Sequence, residues 1–140
     1  MLKISEAASL ALHTMVFLAA NSTRLVANKE IASILKVSPA HLSKVLQRLA
    51  KMGLVNSIRG PKGGFRLGKI QSSITLLEVY EAIEGPLLSC SCLMNEKVCT
   101  KQLCILDSLL EDVNKQVKEY FHCTTLDQLT LVYPFLDKSE

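Results

Sequence analysis

Residues 31 to 77 form a basic segment that contains eight lysine or arginine residues and no aspartate or glutamate. The residues after it hold five basic and eleven acidic side chains, so the net charge of +3 for the 140-residue chain conceals a strong asymmetry. A segment without carboxylates is expected where a folded surface meets phosphate groups. The segment therefore predicts a nucleic-acid-binding face, with double-stranded DNA as the partner.

The first part of this segment has the pattern of two short helices joined by a tight turn. A first helix, capped by Ser5, is predicted upstream and ends near residue 20. Asn28 is predicted to cap the second helix, and Ser38 followed by Pro39 to open the third, which ends near Gly53. The pair predicts a helix-turn-helix whose third helix enters the major groove. Its candidate contacts with DNA are Ser38, His41, Ser43, Lys44 and Arg48.

A short hairpin is predicted directly after the third helix. Residues 54–58 and 65–67 suit two strands, and the tip between them is Arg59-Gly60-Pro61-Lys62-Gly63-Gly64. Such a basic, glycine-rich tip is typical of a wing, and its candidate DNA contacts are Arg59, Lys62 and Gly63. A nucleotide-binding loop is disfavoured because no Gly-Lys-Ser/Thr follows and no helix begins there.

The second half of the chain is predicted to be helical apart from one loop. Thr75 and Glu78 form a capping box for a helix that ends at Gly85, and Thr125 with Gln128 can cap a last short helix. Between them, a long helix is predicted from about residue 104 to 122. It carries an apolar stripe that we expect a second copy of the chain to cover, made of Leu106, Leu109, Leu110, Val113, Val117 and Tyr120.

These elements predict a mainly α-helical fold with a small β-hairpin wing. The expected organisation is a winged helix-turn-helix domain over residues 1–86, a cysteine-rich loop over 87–103, and a dimerisation helix with a C-terminal tail over 104–140. No apolar run reaches the length of a membrane span, so a cytoplasmic protein that binds no membrane is expected. No pairing of a nucleophile with a base is evident, so neither an enzyme nor a small-molecule substrate is predicted.

Four of the five cysteines, Cys90, Cys92, Cys99 and Cys104, lie within fifteen residues of one another. A cytosolic chain keeps its thiols reduced, so such a group indicates metal or redox chemistry rather than structural disulfides. Structural zinc is less favoured because no Cys-x2-Cys pair is present. The fifth cysteine, Cys123, is predicted to be a small buried residue at the end of the long helix.

The wing from Arg59 to Phe65, the segment Ser38-Pro39-Ala40-His41-Leu42 and the cysteine loop ahead of a long helix together resemble the Rrf2 family of bacterial transcription regulators. Members of that family include sensors of iron–sulfur status, nitric oxide, iron and redox state. The resemblance implies a homodimer whose long helices pair. It also implies an iron–sulfur cluster held by three loop cysteines and a fourth ligand that differs between members.

Carried onto this sequence, the resemblance makes Cys92, Cys99 and Cys104 the cluster ligands, with a 2Fe–2S cluster favoured and a 4Fe–4S cluster as the alternative. Their spacing, Cys92-x6-Cys99-x4-Cys104, departs from the five residues per gap of many relatives. The resemblance further implies His13 of a partner subunit as the fourth ligand, in the motif Ala11-Leu12-His13, with Asp107 and Cys90 as alternatives.

Two of these side chains also have simpler interpretations from the residues alone. His13 suits a hydrogen-bonded core position, and Asp107 suits the first turn of a helix, where the dipole favours a carboxylate. Two other functions remain alternatives to the cluster sensor. One is a metal-free regulator that senses redox state through disulfides, and the other is an iron–sulfur electron-transfer protein.

Overall fold

Five α-helices, two short 3-10 helices and one β-hairpin make up the part of the chain that the structure describes. The structure is a computed structural model, and it describes residues 4–87, 92, 94 and 104–132. The α-helices are α1 (Glu6–Ala20), α2 (Asn28–Leu35), α3 (Pro39–Lys51), α4 (Leu76–Glu84) and α5 (Leu109–Cys123). The hairpin pairs β1 (Val55–Ile58) with β2 (Gly64–Leu67), and the 3-10 helices span Gln71–Ser73 and Leu126–Val132. The predicted fold class, helical with a hairpin wing, is confirmed.

Three of the predicted helix caps are present. The hydroxyl oxygens of Ser5, Ser38 and Thr75 each accept a hydrogen bond, at 3.1 Å, from the backbone N–H three residues further on. These bonds satisfy amide groups that the first turn of a helix leaves without a partner. Pro39 occupies the first turn of α3, as predicted.

The prediction that Asn28 caps α2 is wrong. The capping position belongs to Ala27, whose side chain makes no capping bond, and Asn28 is the first helical residue. Its side-chain amide donates instead to the Ser43 hydroxyl of α3 at 3.0 Å. Asn28 therefore joins the start of α2 to the second turn of α3, a contact between helices that local sequence patterns do not encode.

The hydrophobic core joins the N-terminal helices to the end of the chain. Met15 and Phe17 of α1 are fully buried, as is the stripe that was predicted for α3, made of Leu42, Val45, Leu46 and Leu49. Phe121 and Leu126 belong to the same buried cluster. Backbone bonds from Leu76 N–H to the Thr124 carbonyl (3.0 Å) and from Leu126 N–H to the Ile74 carbonyl (3.1 Å) fix this arrangement. The helix-turn-helix thus rests on a core that includes the C-terminal part of the described chain.

The long helix begins later than predicted. Residues 105–108 form a turn, and α5 starts at Leu109 rather than at Cys104. Asp107, predicted in the first turn of the helix, lies before it with φ of 52°. The first turn holds Glu111 and Asp112 instead, where the helix dipole favours acidic side chains.

The last short helix is of the 3-10 type, and its predicted capping box is not what holds it. The Thr125 hydroxyl bonds to the carboxylate of Asp127, and the Gln128 N–H donates to the backbone carbonyl of Thr125 at 3.1 Å. In the described ranges of the chain, no helix is both long enough and apolar enough to cross a membrane.

Lys36 ends α2 in the left-handed conformation, with φ of 56° and ψ of 46°. This region costs a residue other than glycine about 1–2 kcal/mol. We expect Lys36→Gly to raise the free energy of unfolding by about 0.5–1 kcal/mol, because the relieved strain exceeds the entropy that glycine adds to the unfolded chain. Urea unfolding measures this difference. The same change at Lys115, in the exposed middle of α5, is expected to lower stability by about 1 kcal/mol, and a fall at both positions would contradict the prediction.

Candidate DNA-binding surface and cysteine site

The recognition helix α3 presents a basic face opposite its buried stripe. Lys44 and Arg48 are exposed on this face, and Ser38 is exposed at the start of the helix. Ser43 is half-buried, and its hydroxyl oxygen accepts the bond from Asn28. Of the residues predicted to contact DNA from this helix, Lys44 and Arg48 therefore have the most freedom to reach phosphates or base edges.

The surroundings of His41 differ from those that the sequence indicated. It is half-buried and lines a cavity of about 560 Å³ between α1 and the helix-turn-helix. His13, the predicted fourth ligand, lines the same cavity from α1 and is itself exposed. The remaining lining residues are Glu6, Ser9, Leu10, Ile34, Leu35 and Val37. The face of α1 that carries His13 thus lies across one cavity from the first turn of the recognition helix.

The hairpin forms a wing with an exposed basic tip. Arg59 and Lys62 are exposed, and the Gly63 N–H donates to the Gly60 carbonyl at 3.0 Å, which closes the turn. A Cβ at Gly63 would lie only 2.0 Å from the backbone oxygen of Ile58, so this position requires glycine. Gly63 therefore shapes the tip that presents the two cations.

The second strand of the wing is joined to the body of the protein by a third extended segment. Val26 and Phe65 exchange two backbone hydrogen bonds, with N···O distances of 2.9 and 2.8 Å. This contact could not be predicted from the sequence, because a single bridging residue is too short to show the alternation of a strand.

The carboxylates that flank the basic segment are paired. Glu30 binds Arg24 through two hydrogen bonds, of 2.7 and 2.9 Å, and Glu78 pairs with Lys69. Because both border acids have cationic partners, their charge is partly neutralised at the edges of the surface. The recognition helix and the wing therefore present positive charge, and residues 31–77, to which both belong, contain no carboxylate.

The predicted apolar stripe of the long helix divides into two faces. Leu110 is buried and Val117 packs against the core, on the same side of the helix as the buried Asn114 and Phe121. Leu109, Val113 and Tyr120 point away from it and are 54%, 42% and 57% exposed. In each group the residues are spaced as neighbours on one side of a helix are. Among the described residues, none covers the side formed by Leu109, Val113 and Tyr120.

Two of the three predicted cluster ligands lie in the described part of the chain. Cys92 and Cys104 are half-buried cysteines, and the Cys92 sulfur accepts a hydrogen bond from the Met94 N–H at 3.4 Å. Cys90 and Cys99 lie outside the described residues. Over the described ranges, no three histidine, cysteine or acidic side chains converge as metal ligands, and Asp107 is exposed.

The thiols that are described fit an iron–sulfur group chemically. Thiolates are the usual ligands of such clusters, and an N–H bond to a ligating sulfur stabilises its negative charge. Cys92 already has this hydrogen bond. Cys104, the other described cysteine of this group, is half-buried as Cys92 is.

The prediction for Cys123 is wrong, because this thiol is exposed. It lies at the end of α5 beside a groove whose other lining residues are Leu77, Lys115, Lys118, Glu119 and His122. The core at this level is filled by Phe121 and Leu126, and the helix turn that buries residue 121 directs residue 123 outward.

Comparison with known proteins supports the resemblance seen in the sequence. The Rrf2 family model, described as an iron-dependent transcriptional regulator, matches residues 4–131. The transcriptional regulator NsrR of Bacillus licheniformis is 37% identical over 134 residues, which cover 93% of this chain and 90% of that protein. IscR of Klebsiella pneumoniae is 30% identical over 139 residues, which cover 99% of this chain and 85% of that protein.

The fold has a close counterpart among solved structures. CymR, the global cysteine regulator of Bacillus subtilis, superposes with a TM-score of 0.79 at 31% identity. The match covers 94% of this chain and 98% of the CymR chain. The family model spans the helix-turn-helix, the wing, the cysteine-rich loop and α5. The chain therefore belongs to the Rrf2 family of transcriptional regulators.

Proposed function

We propose that the chain is a homodimeric transcriptional regulator that binds operator DNA and senses redox, nitric oxide or iron–sulfur status through a cluster on its loop cysteines. The observation that carries the DNA-binding part is the exposed cationic surface of α3 and the wing, with Lys44, Arg48, Arg59 and Lys62. The family of transcriptional regulators to which the chain belongs supports the same conclusion. It is a binding protein in this proposal, without an enzymatic step.

The exposed face of α5 supports the homodimer. Leu109, Val113 and Tyr120 form an apolar stripe along a helix whose opposite face is already packed. A second copy of α5 offers the same stripe, and a two-fold interface needs such a self-complementary patch. A dimer also presents two recognition helices, as paired half-sites in DNA require.

The sensing part of the proposal assigns Cys92, Cys99 and Cys104 to an iron–sulfur cluster, with 2Fe–2S favoured. When bound, the cluster supplies a reversible one-electron change and an iron that is more labile where a nitrogen or oxygen atom replaces a thiolate. His13 of a second copy is the proposed fourth ligand, with Asp107 and Cys90 as alternatives. The hydrogen bond that the Cys92 sulfur accepts from the Met94 N–H supports the assignment.

A second candidate keeps the regulator but gives the sensing to the thiols themselves. Cys92 and Cys104 are half-buried cysteines, and the fold is similar to that of the global cysteine regulator CymR. Mild oxidation followed by mass spectrometry separates the two candidates, because only the thiol sensor forms a disulfide that changes DNA binding without iron. Metal analysis of the same sample separates both from a zinc protein.

The DNA-binding proposal is tested by the salt dependence of binding to genomic operator fragments. A surface that neutralises phosphates loses affinity steeply as salt rises, and each lost contact lowers the slope of log K against log salt by about one. We expect this reduction for Lys44→Gln and no change for Lys115→Gln on α5. A binding constant that is insensitive to salt would refute the proposed surface.

The cluster assignment is tested by anaerobic reconstitution with iron and sulfide. We expect the wild-type chain to acquire the visible absorbance of an iron–sulfur cluster and Cys104→Ala to lose most of it. Cys123→Ala is the matched control, because that thiol lies at the far end of α5 and is expected to leave the spectrum unchanged. Equal spectra for both variants would remove Cys104 from the ligand set.

A further inference from the structure

The side chain of Asn28 makes two contacts with the recognition helix α3. Its Nδ2 atom donates a hydrogen bond to the Ser43 hydroxyl oxygen at 3.0 Å and a second, longer one to the Pro39 carbonyl oxygen at 3.4 Å. A carbonyl oxygen can only accept, so the amide atom that faces both oxygens must be the nitrogen. The Ser43 oxygen is therefore the acceptor in its bond with Asn28.

This arrangement occupies the internal acceptor that a helical serine commonly uses. Such a serine can donate its hydroxyl hydrogen to the carbonyl four residues earlier, which for Ser43 is the carbonyl of Pro39. That oxygen already accepts the Ser43 backbone N–H, as the geometry of an α-helix requires, and the amide of Asn28. Its two lone pairs are thus both used. Within residues 4–87, 92, 94 and 104–132, the Ser43 hydroxyl makes no second hydrogen bond.

The Ser43 hydroxyl lies on the side of α3 that meets DNA in the proposed function. Ala40 and Gln47, which precede and follow Ser43 by one turn, are both exposed, as is the adjacent Lys44. A hydroxyl whose oxygen already accepts a bond, and whose hydrogen has no internal partner, is suited to donate. Its partners on DNA are phosphate oxygens and the acceptors of base edges in the major groove, namely purine N7, guanine O6 and thymine O4.

We propose that Asn28 is a positioning residue for DNA recognition, which orients the Ser43 hydroxyl so that it donates a hydrogen bond to an acceptor atom of the operator. The inference rests on the proposed function, in which α3 contacts DNA. Asn28 acts through Ser43 and needs no contact of its own with the nucleic acid. Its amide sets the direction of the Ser43 bond by occupying both the Ser43 oxygen and the Pro39 carbonyl.

The test measures how strongly each protein depends on single acceptor atoms of the DNA. The probe is a duplex selected for binding to the wild-type protein from a random pool. Base-edge acceptors are removed or weakened one at a time with 7-deazapurine, 6-thioguanine or 4-thiothymine, and phosphate oxygens with methylphosphonate. The readout is the ratio of the affinity for the unmodified duplex to the affinity for the modified one. Its position in the duplex shows whether the acceptor is a base or a phosphate.

At one position we expect a ratio of about three to ten for wild type, the equivalent of one hydrogen bond, and of about one for Ser43→Ala. Asn28→Ala is expected to lower the ratio below about two, because the Pro39 carbonyl is then released to accept the Ser43 hydroxyl. Asn28→Asp places an acceptor where the donor stood, so we expect a ratio of about one. This variant also serves if Asn28→Ala does not fold.

Ala27→Asp is the matched control for the added charge, because it lies one residue earlier at the exposed capping position of α2. We expect it to keep the wild-type ratio. A merely structural Asn28 would weaken binding to both duplexes alike, so a wild-type ratio in the Asn28 variants would overturn the proposal. The same holds if no position shows a ratio that depends on Ser43. A wild-type protein that selects no duplex at all would instead refute the proposed DNA-binding function itself.

Discussion

Replacing Val113 with aspartate is expected to convert the protein to a monomer and to weaken binding to a two-half-site operator at least about 100-fold. Val113 lies at the centre of the exposed apolar stripe of α5, between Leu109 and Tyr120. Two copies of this stripe would place two aspartates in one apolar interface, where an unpaired buried charge costs several kcal/mol. The loss of affinity follows because a monomer cannot occupy two half-sites at once.

Sedimentation velocity and a DNA shift assay measure the two effects. Val132→Asp is the matched control, because Val132 is 57% exposed in the last 3-10 helix and does not belong to the stripe. We expect Val132→Asp to remain dimeric. A Val113→Asp protein that sediments as a dimer would show that the chains associate through another surface.

Replacing Gly63 with alanine is expected to deform the wing and to weaken operator binding at least about tenfold, through loss of the phosphate contacts of Arg59 and Lys62. The added Cβ would lie 2.0 Å from the Ile58 carbonyl oxygen, so the turn must open. Overpacking of this kind costs about 1–3 kcal/mol. The core under α3 is remote from the tip, so the recognition helix should keep its fold.

Thermal unfolding and binding to short operator duplexes check this prediction together. Pro61→Ala lies in the same exposed turn and is the control, because it adds no atom to the crowded position. We expect it to bind DNA close to wild type. Equal affinities for Gly63→Ala and wild type would mean that the wing does not take part in binding.

The parts of this protein that the sequence predicts best are those encoded by neighbouring residues. Ser38 and Pro39 define the start of α3 because a capping hydroxyl and a fixed φ act within one turn. The glycines of the wing tip likewise determine the conformation of their own turn. The acid-free composition of the surface is also independent of the fold, since any folded form of the segment lacks carboxylates.

The features that the sequence did not predict depend on contacts between distant residues. Asn28 bonds to Ser43 rather than capping its own helix, and Cys123 is exposed because Phe121 and Leu126 fill the core beside it. The apolar positions of α5 could not be divided into two faces from periodicity alone. Leu109 and Leu110 are adjacent and equally apolar, and only the folded structure shows that Leu110 is buried and Leu109 exposed.

The regulator proposal is tested most directly by comparing operator affinity with and without the cluster in one preparation. The anaerobically reconstituted protein and its iron-free form would be titrated against the same operator duplex, with Cys104→Ala treated identically. We predict that the two wild-type forms differ in affinity at least about tenfold, a typical coupling between two sites, and that the Cys104→Ala samples do not differ. Equal affinity of the two wild-type forms would contradict the claim that a cluster on the loop cysteines controls DNA binding.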